Sequence, residues 1–290
     1  MMINIDEHTI TQAVIDRLDG LRQSKIEIGH DLFGQTLHDF ARDVRLSESE
    51  WMTAIAFLTA TGQKCDDKRQ EFILLSDTLG LSMLTVAMEN DKPPGATEAT
   101  VFGPFHIDHP PEFSGGDDIS GGASGEPLFV SAKVIDTNGK PIKGARLNIW
   151  QADAEGLYDV QRSELTGHQA RGILFSDEHG AVDFQTVLPV SYPVPTDGPV
   201  GQMLLSTGRH PWRPAHVHFK IDAEGYQTLI THVFREDDDY LQTDVVFGVR
   251  SSLLGQYVRH EGGKAPDGRT LDHAFYTLNF DFVLANLVAS

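Results

Sequence analysis

The residues of this chain best equipped for chemistry are two histidines and two tyrosines. His216-Val217-His218 lies in the run AHVHFKI, which reads as a strand. Side chains alternate across a strand, so both imidazoles project from one face while Val217 enters the opposite layer. A sheet can present two nitrogen ligands to one metal ion in this way. The pair alone is a weak signal, because a chain with 13 histidines in 290 residues meets it readily by chance. Two histidines satisfied by neighbouring groups explain it equally well.

What completes the set decides the metal. Asp222 and Glu224 follow the pair, but the glycine spacing before His216 is wrong for a cupin and no second cupin motif is present. A zinc hydrolase would want a further clustered His or Asp. Two tyrosines stand in turn-like settings instead, Tyr158 in DAEGLYDV and Tyr192 in VSYPVP. Phenolate is a hard, anionic donor that suits ferric iron, with histidine nitrogens in the remaining positions. Ionising a free phenol at pH 7 costs about 4 kcal/mol, hence about 8 for two. Only a strong Lewis acid offsets that readily. Tyr158 has a second reading, because VIDTNGKPIKGARLNIWQADAEGLYDV resembles transthyretin-like binding sandwiches, where such a tyrosine is a core residue. A non-enzymatic binding module and an Fe(II) oxygenase with a carboxylate ligand both stay open on these residues alone.

The elements that must position these side chains fall into two kinds. Helical patterns cover 7–18, 25–44, 47–62 and 68–89. Ser47 and Glu50 form an S-x-x-E capping box ahead of Trp51, Ile55 and Leu58, and Gly62 supplies a stop. Lys92-Pro93-Pro94-Gly95 ends the last helix. From Pro127 onward the apolar period becomes two, with strands expected over 128–136, 145–150, 182–187, 215–221, 228–234 and 274–282. Asn138-Gly139 signals a hairpin. The expected fold is therefore mixed α and β: an N-terminal helical domain over 1–95, then a β-sandwich catalytic domain over 96–290 that carries its chemistry on loops. The Pro- and Gly-rich segment 96–126 reads as a linker or as a strap wrapping the second domain.

Read together, LNIWQADAEGLYD, the Tyr-Pro dipeptide and RHPWRPAHVHFKI resemble the intradiol ring-cleavage dioxygenases over essentially the whole chain. Within that family EFILLSDTLGLSM, ATVFGPFH and THVF are most similar to hydroxyquinol 1,2-dioxygenases. Catechol 1,2-dioxygenases usually show E-G-P where this chain has Phe102-Gly103-Pro104, and glutamine where it has His232. Catechol and chlorocatechol are accordingly the alternative substrates. The resemblance implies Fe(III) held by Tyr158, Tyr192, His216 and His218. Tyr192 is also the displaceable phenolate that takes a substrate proton. Arg213 steadies negative charge on the ring, and His232 assists. Leu74 and Asp77, at i and i+3 on one helix face, are implied to line the pocket mouth, with Asp77 accepting a hydrogen bond from the third hydroxyl. Val101, Phe102, Gly103, Pro104 and Phe105 are implied to form one wall, and Val194, Pro195 and Val246 another. The partners implied are a small aromatic diol or triol and O2. A homodimer through the N-terminal helices, with a lipid-like molecule at its interface, is implied as well.

Composition agrees with a folded enzyme and opposes other classes. Lys plus Arg number 23 against 42 Asp plus Glu, a net charge of −19. Such a chain repels phosphate backbones and anionic lipid, and it has no basic run to reverse that. Cys65 is the only cysteine, so no internal disulfide can form, which fits a reducing compartment. The N-terminus lacks a basic-then-apolar leader, and the apolar window 72–88 is broken by Asp77, so no membrane span and a cytoplasmic location are expected.

Overall fold

The computed structural model describes residue 11 and residues 25–66, 69–89 and 92–287. The chain forms two compact units, Met1–Ala60 and Thr61–Ser290. In the first, α1 (Lys25–Asp43) is followed by α2 (Glu48–Gln63). The capping box is made as expected: Ser47 N donates to Glu50 Oε2 at 2.9 Å and Glu50 N donates to Ser47 Oγ at 3.3 Å. Phe33, Leu37 and Phe40 on α1 and Trp51, Met52 and Ile55 on α2 are exposed apolar side chains. The helix expected over 7–18 lies outside the described residues. The division between units falls inside α2, whereas the compositional change lies near residue 95.

The single helix expected over 68–89 is two helices, α3 (Glu71–Thr78) and α4 (Leu81–Glu89), bent by 76°. The break has a local cause. Gly80 adopts φ +78°, and its N–H closes a tight turn onto Asp77 O at 3.0 Å. A left-handed glycine ends a helix at little cost, so the apolar pattern continues while the axis does not. No single helix among the described residues is long and apolar enough to cross a membrane.

Two sheets make up the second unit's core. The four-stranded sheet runs β10 (Val258–His260), β13 (Phe275–Leu284), β1 (Pro127–Asp136), β4 (Ala181–Val187). The five-stranded sheet runs β3 (Arg171–Phe175), β2 (Arg146–Trp150), β7 (His216–Asp222), β8 (Leu229–Arg235), β9 (Leu254–Gly255). The expected strands are present, with ends displaced by a residue or two, and β3, β9 and β10 add to them. Inward side chains such as Leu128, Val130, Leu147, Ile149, Val217, Phe219 and Phe282 form one buried cluster. Asn138-Gly139 does close a tight turn, with Asp136 Oδ1 accepting from Asn138 N and Lys140 N. Its return arm is only an isolated bridge, Ile135 to Pro141, because the chain then crosses to the other sheet.

Segment 96–126 lies along both sheets. Thr100 N bonds Ile230 O, Phe113 N bonds Ile173 O, and Ile119 N bonds Gln185 O. Two further pieces position the site: a two-residue ribbon of β5 (Tyr192–Pro193) and β6 (Trp212–Arg213), and α5 (Pro199–Ser206).

Candidate metal centre

Register places the histidines. In β7, Val217, Phe219 and Ile221 enter the core, so His216, His218 and Lys220 take the outer face of the five-stranded sheet. His218 lies directly opposite Trp150 on β2 and His232 on β8. Opposed residues share a face, so His216, His218, His232 and Trp150 stand together. That face is not left to solvent: all four are buried under the loops that follow the strands.

Those loops bring in the tyrosines. Tyr158 precedes a 3-10 turn (Asp159–Gln161), with Tyr158 N donating to Gln161 Oε1 and Gln161 N to Tyr158 O. Arg171 on β3 clamps the next residue, its Nε lying 2.8 and 2.9 Å from the Asp159 oxygens. Tyr192 is directly opposite Arg213 on the short ribbon.

Four donor atoms converge. Tyr158 Oη lies 2.7 Å from His218 Nε2 and donates to Tyr192 Oη at 3.0 Å, while the His216 and His218 Nε2 atoms are 3.1 Å apart. His216 Nδ1 donates to Pro214 O at 2.6 Å, which leaves Nε2 of the neutral ring as a bare lone pair. Burial, and then the Arg213 charge, hold His216 well below the usual histidine value, so it is neutral. Burial, then His232 and His216, do the same for His218. Two imidazole nitrogens and two phenol oxygens facing one another at such distances form a nest of lone pairs, which a cation satisfies and protons do not.

Burial, followed by Tyr192, raises Tyr158 well above the normal phenol value. Its proton therefore leaves only for a strong local positive charge, which selects a trivalent over a divalent ion. The residues present fit a ferric ion bound by Tyr158, Tyr192, His216 and His218. Trp150 stacks on His218, with ring centroids 4.6 Å apart and planes 15° from parallel, and fixes that ring. Burial first, then His216 and Arg213, keep His232 neutral, against a smaller upward pull from a hydrogen bond to the Val101 backbone.

Most of the expected pocket residues fall into two groups. Leu74, Pro104, Phe105 and Pro195 line, with Gln70 and Val160, one cleft of about 230 Å³, and Phe105 stacks on Tyr158 at 4.4 Å. Val101, Val194 and Val246 are buried in one apolar cluster with Met83, Leu204 and Val245, against which Leu74 packs. Phe102 joins neither group; it leans on His106 and the edge of Trp150 and is 39% exposed. Gly103 turns toward the centre with φ +77°, and a Cβ there would stand 3.0 Å from His218 Cε1.

Asp77 is buried and does not join Leu74 among the residues lining the cleft; its neighbours are Ser82, Arg213 and Asp244. Burial raises its pKa, partly offset by a hydrogen bond with Ser82 and the charge of Arg213. Asp244, Arg171 and Asp159 were not foreseen. The only signal for them is that a buried guanidinium demands a carboxylate, and nothing in the spacing says which one.

Comparison with known proteins agrees with this geometry. Residues 109–286 match the dioxygenase family, and residues 30–97 match the catechol dioxygenase N-terminus. The chain is 53% identical over 283 residues to the 6-chlorohydroxyquinol 1,2-dioxygenase of Cupriavidus pinatubonensis, covering 98% of this chain and 99% of that one. It is 46% identical to the hydroxyquinol 1,2-dioxygenase of Rhodococcus opacus, covering 96% of this chain and 94% of that one. The crystal structure of hydroxyquinol 1,2-dioxygenase from Pseudomonas putida superposes with a TM-score of 0.89 at 42% identity, covering 97% and 98% of the two chains.

Proposed function

The chain belongs to the intradiol ring-cleavage dioxygenases, and from that premise we propose that it opens the ring of hydroxyquinol (1,2,4-trihydroxybenzene) between its two adjacent hydroxylated carbons. Both atoms of O2 enter the product, 3-hydroxy-cis,cis-muconate, which tautomerises to maleylacetate. The observation that carries the reading is the convergence of Tyr158, Tyr192, His216 and His218 donor atoms on one point at the mouth of a buried face.

Fe(III) bound there would supply the Lewis acidity that binds the diol as its dianion and makes the ring reactive toward O2. The protein's own groups do the rest. Tyr192 Oη is placed to take one of the two protons the diol gives up, solvent taking the other, and the Arg213 guanidinium, 3.5 Å from that oxygen, steadies negative charge beside it. His232, neutral and tied to the Val101 backbone, offers its remaining nitrogen to the reacting oxygens. Asp77 accepts the hydrogen bond of the third hydroxyl. Leu74, Pro104, Phe105 and Pro195 hold the ring edge, while Val101, Val194 and Val246 keep water out.

The exposed apolar side chains of α1 and α2 are read as the surface joining two copies, with room for a lipid-like molecule. The 53% identity to a 6-chlorohydroxyquinol enzyme supports a second substrate, the chlorinated ring. Oxygen uptake by the iron-loaded protein, without any added reductant, tests the reaction and its substrate. Hydroxyquinol and its 6-chloro derivative should be consumed with one O2 each, ahead of catechol. Faster turnover of catechol would move the substrate assignment, and no uptake with any diol would end the reading.

A further inference from the structure

Arg213 and Asp244 are 3% and 5% exposed, and their ion pair is sealed from water. Arg213 Nε lies 3.2 Å from Asp244 Oδ1, and Nη2 lies 3.4 Å from Oδ2. The guanidinium is planar and rigid, so holding two nitrogens fixes the third. That third nitrogen, Nη1, points at His216 Nε2 (3.3 Å) and Tyr192 Oη (3.5 Å). The same carboxylate accepts Gly248 N at 2.9 Å and Val246 N at 3.4 Å, and so sets the turn that carries Val246 into the apolar wall. The turn is tight. A Cβ on Gly248 would stand 3.0 Å from Thr100 Oγ1, 3.1 Å from Arg213 Nη2 and 3.2 Å from Asp244 Oδ2. Without its carboxylate, the buried guanidinium would lose the two contacts that fix its plane, and with them its aim.

We propose, on the reading of the centre given above, that Asp244 is the positioning residue of the reaction. It aims Arg213 Nη1 at the space between Tyr192 and His216, where charge develops on the ring, and it sets Val246 into the apolar wall. Asp244 touches neither substrate nor metal. It acts through Arg213.

The test is Asp244→Asn, alone and combined with Arg213→Lys, in the iron-loaded full chain. The asparagine keeps the shape and one acceptor for the turn but lacks the charge that holds the guanidinium. The resting visible absorption and the iron content should match wild type, since no ligand is altered. Turnover of hydroxyquinol should fall roughly ten- to a hundred-fold in kcat, with KM changed far less. The double variant should be no slower than the slower single one, because the second change removes an arginine already unaimed.

Three results overturn the proposal. One is turnover of Asp244→Asn within about twofold of wild type. Another is losses that multiply in the double variant. The third is loss of iron and the resting band together with activity, which would make Asp244 a structural residue only. If Asp244→Asn does not fold, Asp244→Glu, which keeps the charge but shifts the carboxylate by one methylene, takes its place with the same criteria. Wild-type protein that takes up no oxygen would remove the functional reading itself; an active wild type with an indifferent Asp244→Asn removes only the positioning role.

Discussion

Gly103→Ala isolates the approach of the 101–105 segment to His218. Gly103 adopts φ +77°, a region that costs an L-residue about 1–2 kcal/mol. The added methyl would also stand 3.0 Å from His218 Cε1. His218 cannot yield easily, being paired on both sides within the sheet and stacked on Trp150. The segment must move instead, and Phe105 would shift with it against Tyr158. Overpacking of this kind costs about 1–3 kcal/mol, so the total is about 2–5 kcal/mol. Gly95→Ala is the matched control, since Gly95 has φ +88° but nothing within 4 Å of the Cβ position. It should lose only the backbone part. Urea unfolding of the metal-free chain reads both without linkage to bound metal. Gly103→Ala should be less stable than Gly95→Ala by about 1–3 kcal/mol and should bind iron more weakly. Equal losses for the two variants would refute the contact with His218.

Three further outcomes are expected. The Asp77 pKa is raised above its usual 3.8, chiefly by burial, so the native state holds that proton more tightly than the unfolded chain and stability is lost as pH rises through the raised value. Asp77→Asn should therefore raise the unfolding midpoint near pH 8, converge with wild type in acid, and lower hydroxyquinol turnover relative to catechol by roughly tenfold or more. His106 is depressed to about 4, first by burial and then by Lys220. The unfolded chain thus binds a proton that the native state excludes between about 4 and 6.5, and stability should fall as pH drops across that window, a slope that His106→Gln should flatten in urea titrations. Chelation of the metal should lower the thermal midpoint, and free iron at a hundred times its dissociation constant should return about 2.7 kcal/mol.

How much of the molecule could be read from its residues depends on the range of the forces involved. Alternation in AHVHFKI placed His216 and His218 on one face because a strand's period is local. It also put His232 beside them once β8 was known to neighbour β7. The capping box at Ser47 and Glu50 is equally local. The break at Gly80 escaped because a glycine inside an apolar helical pattern is tolerated or terminating according to tertiary context. The meeting of Tyr158 and Tyr192 with those histidines is not local at all. It depends on loops tied down by Arg171–Asp159 and by the β5–β6 ribbon, and only family resemblance brought them together from sequence. Asp244 was beyond reach for the same reason: its partner is distant in the chain, and the nearer acids Asp237, Asp238 and Asp239 were formally as eligible. Phe102 shows the opposite case, a residue in the expected stretch whose side chain turns away from its neighbours' cleft.

On this reading Tyr158 and Tyr192 bind ferric iron as phenolates beside His216 and His218. The visible spectrum of the purified protein, recorded before and after anaerobic addition of hydroxyquinol, tests it most directly. A red-brown tyrosinate-to-iron band should appear, shift when the diol binds and vanish in Tyr158→Phe. A protein that stays colourless after iron reconstitution, or whose colour survives Tyr158→Phe unchanged, would contradict it.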